Sequence, residues 1–288
     1  MWCVGVLLIA VMGLFVGYSK DSDDGTEPGK NVPKIGDYYY SDGTWSDGGD
    51  VAPDLKNGAR RVIGIVFQTD PGRIGAAEKA ALAAKGVTTP HGLVMALTNA
   101  AEGCCWGDYR KNEPDPFSDV AEVKLMYGDL DGYNKTKYMV DKITKGDYDA
   151  ATYAAFNAVS KYGTGESAQF AAPASSTGWF LPGMGQWWDI LVNLGGVSAL
   201  NDSKNQNSAE DYLILENTSQ SAVDHLNARL KGVAGATPFS IDTYFWSSSE
   251  YNYRNACLVF FDNSGYLYLG WSRKGSGGDH RVRSVLAF

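Results

Sequence analysis

Phe245-Trp-Ser-Ser-Ser-Glu-Tyr-Asn-Tyr-Arg-Asn-Ala-Cys-Leu-Val-Phe-Phe-Asp-Asn-Ser-Gly-Tyr-Leu-Tyr-Leu-Gly-Trp-Ser-Arg-Lys274 reads as two strands joined by the turn Asp262-Asn-Ser-Gly265. Successive strand residues point to opposite faces, so alternation sorts the hairpin into two sides. Cys257, Val259 and Phe261 fall on one side, joined after the turn by Leu267, Leu269 and Trp271. That side is regular and apolar, the pattern of a core face. Leu258 and Phe260 fall on the other, with Tyr266, Tyr268, Gly270 and Ser272. Arg254 and Arg273 lie beside this second side, and His280 is expected at its rim. Exposed Leu258, Phe260, Tyr266 and Tyr268 would form an apolar patch too large for a solitary surface, which implies a binding site unless a loop covers it. Aromatic area with adaptable polar tips suits recognition; an enzyme needs a few fixed groups instead.

The rest of the chain adds little that suggests catalysis. Its 288 residues are long enough for a substantial core, and 44% hydrophobic with 20% charged residues is ordinary for a globular protein. Eight Trp, 17 Tyr and 34 Gly favour short strands, tight turns and aromatic packing. A net charge of −8 without a basic tract argues against nucleic acid as partner. Cys3, Cys104, Cys105 and Cys257 lack disulfide or zinc-ligand spacing. His91, His225 and His280 are isolated, and Ser247-Ser248-Ser249 has no nucleophile elbow. Asp129-Leu-Asp-Gly-Tyr-Asn134 places its Gly too early for a calcium loop and reads as a turn before a helix. Neither a metal nor a cofactor is expected, and the chain is expected not to be an enzyme.

The pattern along the chain predicts an α+β fold. Residues 1–20 form a leader with the apolar run VGVLLIAVMGLFV from Val4 to Val16, of signal-peptide length, and 21–34 form a linker. The leader resembles that of bacterial lipoproteins, but it has no Lys or Arg before the run. Tyr18, which has no thiol to acylate, stands where the lipidated cysteine would be. An ordered domain spans 35–288. Asp37–Trp45 reads as strand, Asp-Gly turn, strand, and Arg61–Phe67 as a buried strand. Helical signals are read in Thr89–Leu97, Lys135–Lys145, Tyr148–Val159, after Gly183 and in Ala222–Leu230. Asp211–Leu215 is a short segment and Asn201–Ala209 a surface loop. The last strand, Arg281-Val-Arg-Ser-Val-Leu-Ala-Phe288, is expected to pair with the first. Gly178-Trp-Phe-Leu-Pro-Gly-Met-Gly-Gln-Trp-Trp188 reads as core anchors, a turn and a helix start, with an aromatic sugar platform as the other reading.

Three motifs, Gly178–Trp188, Phe245–Tyr251 and Arg281–Phe288, resemble in order and spacing the variable proteins of diversity-generating retroelements of Bacteroides-type gut bacteria and their phages. Ser284 departs from the proline common in that family. The resemblance implies a C-type-lectin-like fold, related to the formylglycine-generating-enzyme-like fold, that displays a hypervariable ligand-binding surface without calcium. The signatures of calcium-dependent lectins are absent. The variable region would span about 250–283, with Tyr251, Tyr253, Arg254, Asn255, Leu258, Phe260, Tyr266, Tyr268, Gly270, Ser272, Arg273 and His280 facing the ligand. Trp179, Trp187, Trp246, Trp271, Arg281 and Arg283 would be scaffold. Adenine-directed diversification of Asn-type codons cannot produce Lys, Glu, Gln, Met or Trp. Between Tyr251 and His280 only Trp271 and Lys274 belong to that set, which marks them as fixed. The expectation is an exported, monomeric protein of the cell surface or outer membrane, with a possible tether through the leader, that binds a protein ligand. The alternatives are a glycan-binding or pilus-tip adhesin, or an oxidase of the formylglycine-generating type acting through Cys257.

Overall fold

The computed structural model describes residues 32–46, 60–204 and 211–288. The leader, residues 21–31 of the linker and residues 205–210 of the Asn/Ser-rich stretch lie outside the described residues. Asp42-Gly43 turns the chain between β1 (Tyr38–Tyr40) and β2 (Trp45–Ser46). Gly43 has φ +88°, the left-handed region that glycine enters without steric cost. The apolar run after Arg61 forms β3 (Val62–Gln68), every residue of it buried. Helix α1 (Ala76–Ala83) follows.

Thr89–Leu97, expected to be helical, instead leads into strand β4 (Leu93–Ala101). A short continuous apolar run fits a fully buried strand as well as a buried helix, and periodicity alone does not separate them. Pairing decides here: β4 is hydrogen-bonded between β3 and the last strand, β9 (His280–Ala287). It therefore takes the place beside β9 that the first strand was expected to fill. The last residue meets the first two strands through side chains, with the Phe288 ring 4.5 Å from Tyr39 and 5.4 Å from Trp45.

The middle of the chain is helical, as expected, with shifted bounds. Helices α2 (Val123–Gly128), α3 (Gly132–Thr144) and α4 (Ala154–Lys161) precede α5 (Met184–Asn193). Asp129-Leu-Asp131 is the turn before α3, tied to that helix by a Lys135 Nζ to Asp129 Oδ2 contact of 2.5 Å. Helix α5 starts after Gly183, as read, with Trp187 and Trp188 buried. Then come α6 (Leu200–Ser203), β5 (Leu213–Leu215), α7 (Ser219–Leu230), β6 (Thr243–Glu250), β7 (Asn255–Phe261) and β8 (Leu267–Arg273). Part of the expected 201–209 loop is thus the short helix α6.

Among the described residues the sheet has nine strands in the order β2-β1-β3-β4-β9-β6-β7-β8-β5. All neighbours are antiparallel except β6 and β9. This is an α+β architecture with core on both faces of the sheet. Val259 belongs to a cluster with Trp187, Phe245 and Leu269, whereas its neighbour Leu258 joins Trp106, Phe156 and Trp246. No helix of the described residues is long and apolar enough to cross a membrane.

Candidate functional site

The C-terminal hairpin is β7 and β8, joined through Asp262–Gly265, and its pairing has no register break from Asn255↔Arg273 to Phe261↔Leu267. Its expected core side holds except at Trp271: Cys257, Val259, Phe261, Leu267 and Leu269 are all fully buried. On the other side the register aligns one residue from each of five strands. His280 of β9 is opposite Tyr244 of β6, Tyr244 opposite Phe260 of β7, Phe260 opposite Tyr268 of β8, and Tyr268 opposite Ile214 of β5. Tyr244 and Phe260 stack at 3.9 Å with ring planes 5° apart. His280 lies between Tyr244 at 4.9 Å and Trp246 at 4.3 Å. Tyr268 contacts Tyr212 at 5.7 Å. Ile214, Tyr212 and Tyr266 are 45%, 38% and 42% exposed, large apolar groups gathered at one edge of the sheet.

The other half of that face is covered. Leu258, expected on the open surface, is buried, because the segment 104–120 lies across the base of the hairpin. Trp106 donates its indole N–H to Ser247 O at 2.7 Å and its backbone N–H to Lys274 O at 2.8 Å. Trp246 returns an indole bond to Cys104 O at 2.9 Å, and Val120 N donates to Glu250 O at 2.8 Å. The covering residues come from a remote part of the chain, so alternation shows which face Leu258 takes but not what lies over it.

Three further positions are corrected. His280 is not at a rim but buried in the ring stack, where desolvation lowers its pKa to about 4. Gly270 is on the outer face but covered, since the Tyr268 ring folds over it; a Cβ there would sit 2.1 Å from Cζ of that ring. Trp271 is only half-buried, with Tyr251 stacked on it at 5.2 Å, and the Tyr251 hydroxyl donates to Asp211. At the hairpin's far end Tyr253, Arg254 and Arg273 are exposed, with the Arg254 guanidinium 4.9 Å from the Tyr253 ring centre. Asn255 and Ser272 are half-buried there.

The expected scaffold residues are mostly internal. Trp187 and Trp246 are fully buried, and Trp179 is half-buried with its indole N–H on Phe170 O. Arg283 is fully buried and donates to Ala96 O, Leu97 O and Thr237 O. Arg281 is partly exposed and pairs with Glu102 at 3.1 Å. Lys274, marked as fixed by codon logic, is fully buried and paired with Glu250.

Little of this offers reaction chemistry. The Cys257 thiol is fully buried, donates to Val120 O at 3.6 Å, and is pushed well up by desolvation. Ser247 and Ser249 use their hydroxyls on Cys257 O and Met184 N. Glu250 faces the backbone N–H of Glu113, whose carboxylate accepts from Tyr148 and Tyr153 at 2.8 and 2.6 Å. That polar cluster is buried and fastens the 104–120 segment. Among the described residues no group of His, Cys, Asp and Glu could hold a metal ion.

Sequence reasoning missed Tyr244, Tyr212, Ile214 and the carboxylates around them. Tyr244 was legible in principle, two residues before Trp246 and so on the same face of β6. Ile214 was not, because β5 joins the hairpin from across a long connection. Burial raises the pKa of Tyr244, and Asp242, Asp262 and Asp279 raise it further by their charge. Tyr268 is likewise pushed up to about 12, first by burial.

No protein-family model matches the sequence, and no curated protein matches it. Among solved structures, a fimbrial protein from Bacteroides ovatus ATCC 8483 is similar, with a TM-score of 0.55 at 20% identity. The match covers 89% of this chain and 49% of that one, so the chain spans about half the length of that protein. At this identity the likeness is one of fold.

Proposed function

We propose that this chain is a ligand-binding, adhesin-like protein of the bacterial cell surface that recognises a protein through the open aromatic edge of its C-terminal hairpin. The observation that carries this reading is the row Tyr244, Phe260, Tyr268 and Ile214, the first three half-buried and Ile214 exposed beside Tyr212 and Tyr266, on a face whose other half is sealed by the 104–120 segment. Gathered exposed apolar groups on a rigid sheet are the setting in which binding hot spots form. The fold likeness to a fimbrial protein fits a surface role.

A protein ligand is favoured over a glycan by ring geometry. Sugar platforms present a ring face, but Tyr244 has one face against His280 and the other against Phe260. What it offers outward is an edge, suited to packing against protein side chains.

The finer reading is a retroelement-diversified variable protein with a C-type-lectin-like domain. It is supported by Lys274, whose buried ion pair with Glu250 is a structural contact that a diversified position would not preserve. A near-identical genomic copy of the segment coding for 250–283, differing only at adenines and beside a reverse transcriptase, is its expected signature.

The binding reading is tested by selecting ligands from a phage-displayed random peptide library on the purified chain. Clones should lose binding to the variant with Tyr212, Ile214 and Tyr266 all changed to Ala, whose exposed positions leave the melting temperature nearly unchanged. Clones indifferent to that variant would place recognition elsewhere.

A further inference from the structure

The open aromatic edge carries charge of one sign. Asp242, just before β6 and in the left-handed region at φ +59°, lies beside the end of β7, where Thr243 is paired with Phe261 and Asp262 follows. The strand ends meet there, with Asp242 N donating to Phe261 O at 2.5 Å. Asp279 precedes His280, whose partner across the parallel pair is Tyr244. All three carboxylates lie close enough to act on the Tyr244 hydroxyl. Asp242 and Asp279 are exposed, and Asp262 is half-buried.

Like charges held near one another repel. No cation among the described residues relieves them: none of the three carboxylates forms an ion pair. Arg281, the basic residue nearest in sequence, is engaged by Glu102 and the Ser240 hydroxyl. Arg254 and Arg273 are at the opposite end of the hairpin. Asp262 has a local task, accepting from Ser264 N in the turn at 2.6 Å, but asparagine could perform it without a charge. The carboxylates do not form a metal cage, so one small ion is not the fitting counter-charge.

We propose that the occupant of this surface is a protein segment bearing lysine or arginine. Its aliphatic stems would lie along Tyr244, Phe260 and Tyr268, and its charged heads would reach Asp242, Asp262 and Asp279. Long basic side chains fit because they bury an apolar stem while keeping the head at a polar rim. Carboxylates on such a rim also speed encounter with a basic partner. The proposal rests on the functional reading above and adds the chemical class of the ligand.

The peptide selection already described tests it with a second variant, Asp242→Asn/Asp262→Asn/Asp279→Asn, which keeps side-chain shape and the turn bond. Clones that depend on Tyr212, Ile214 and Tyr266 should be enriched in Lys and Arg. Their affinity should fall about tenfold or more on the Asn variant. It should also weaken as salt rises past about 0.15 M, where screening extends over about 8 Å. Aromatic-dependent clones that are neutral or acidic, or that keep their affinity on the Asn variant, would overturn the basic ligand and leave the binding surface standing. If no clone depends on the aromatic edge, the functional reading fails, and this proposal with it. An Asn variant whose melting temperature rises while binding falls would add direct support, because it shows the repulsion is retained at a cost in stability.

Discussion

Lys274 and Glu250, 24 residues apart in sequence, form an ion pair from which solvent is excluded, with side chains 0% and 1% exposed. The ammonium also donates to Lys111 O at 2.5 Å. The pair therefore joins the end of β6, the residue after β8 and the segment that covers Leu258. Burial pushes the Glu250 carboxyl up, against the opposing pull of Lys274. Removing one partner of such a pair leaves an uncompensated buried charge, so Lys274→Met and Glu250→Gln should each cost about 3–5 kcal/mol. The double variant should cost clearly less than their sum, measured by urea denaturation as a double-mutant cycle. Additive losses would mean the two groups are not coupled.

Tyr268 owes its place over the sheet to the missing side chain at Gly270. Gly270→Ala would put a methyl 2.1 Å from the ring's Cζ, so the ring must leave. Overpacking of this kind should cost about 1–3 kcal/mol, with loss of ligand selected on the aromatic edge. In a Tyr268→Ala background the same Gly270→Ala change should be nearly neutral, a comparison that thermal melts of the four proteins would make. A full penalty in that background would mean the glycine is needed for its backbone rather than for the ring.

His280 ties the ring stack to pH. Its folded pKa, about 4, lies below the ordinary imidazole value of 6.5, so the unfolded chain binds the proton first as pH falls. Its contribution is present above about 6.5 and is lost as pH drops through that value toward 4. His280→Phe keeps an aromatic ring between Tyr244 and Trp246 and should flatten this acid-side loss in melting temperature against pH. An unchanged slope would show that His280 titrates normally.

Much of the hairpin was legible because alternation is a strong constraint: Val259, Phe261, Leu267 and Leu269 are where a two-residue period puts them. The same rule failed at Leu258, since a period assigns a face and cannot name the remote segment that covers it. Trp271 failed at the end of the strand, where the sheet runs out and Tyr251 supplies the cover. The Leu93–Leu97 run was open to either assignment until its neighbours β3 and β9 were known. The aromatic row itself depends on register across five strands, information that no single segment contains.

Glu78 opposes His280 over an overlapping pH range. It is fully buried where α1 meets α5, with Oε1 accepting from Gln186 Nε2 at 2.9 Å, and Gly75 leaves the space its other oxygen occupies. Desolvation raises its pKa from 4.5 to about 7, more than its hydrogen bonds lower it. Here the folded state holds the proton longer, so the contribution is fully present below about 4.5 and is lost as pH rises through about 7. The two slopes partly cancel in the parent protein, and each is visible only as a difference between variant and parent. Glu78→Gln keeps the shape and never ionises, so its gain in melting temperature over the parent should grow from pH 5 to pH 8, by the linkage just given. A gap between Glu78→Gln and parent that stays constant over that range would mean the carboxyl is already ionised at the low end and finds a compensating partner in the folded chain.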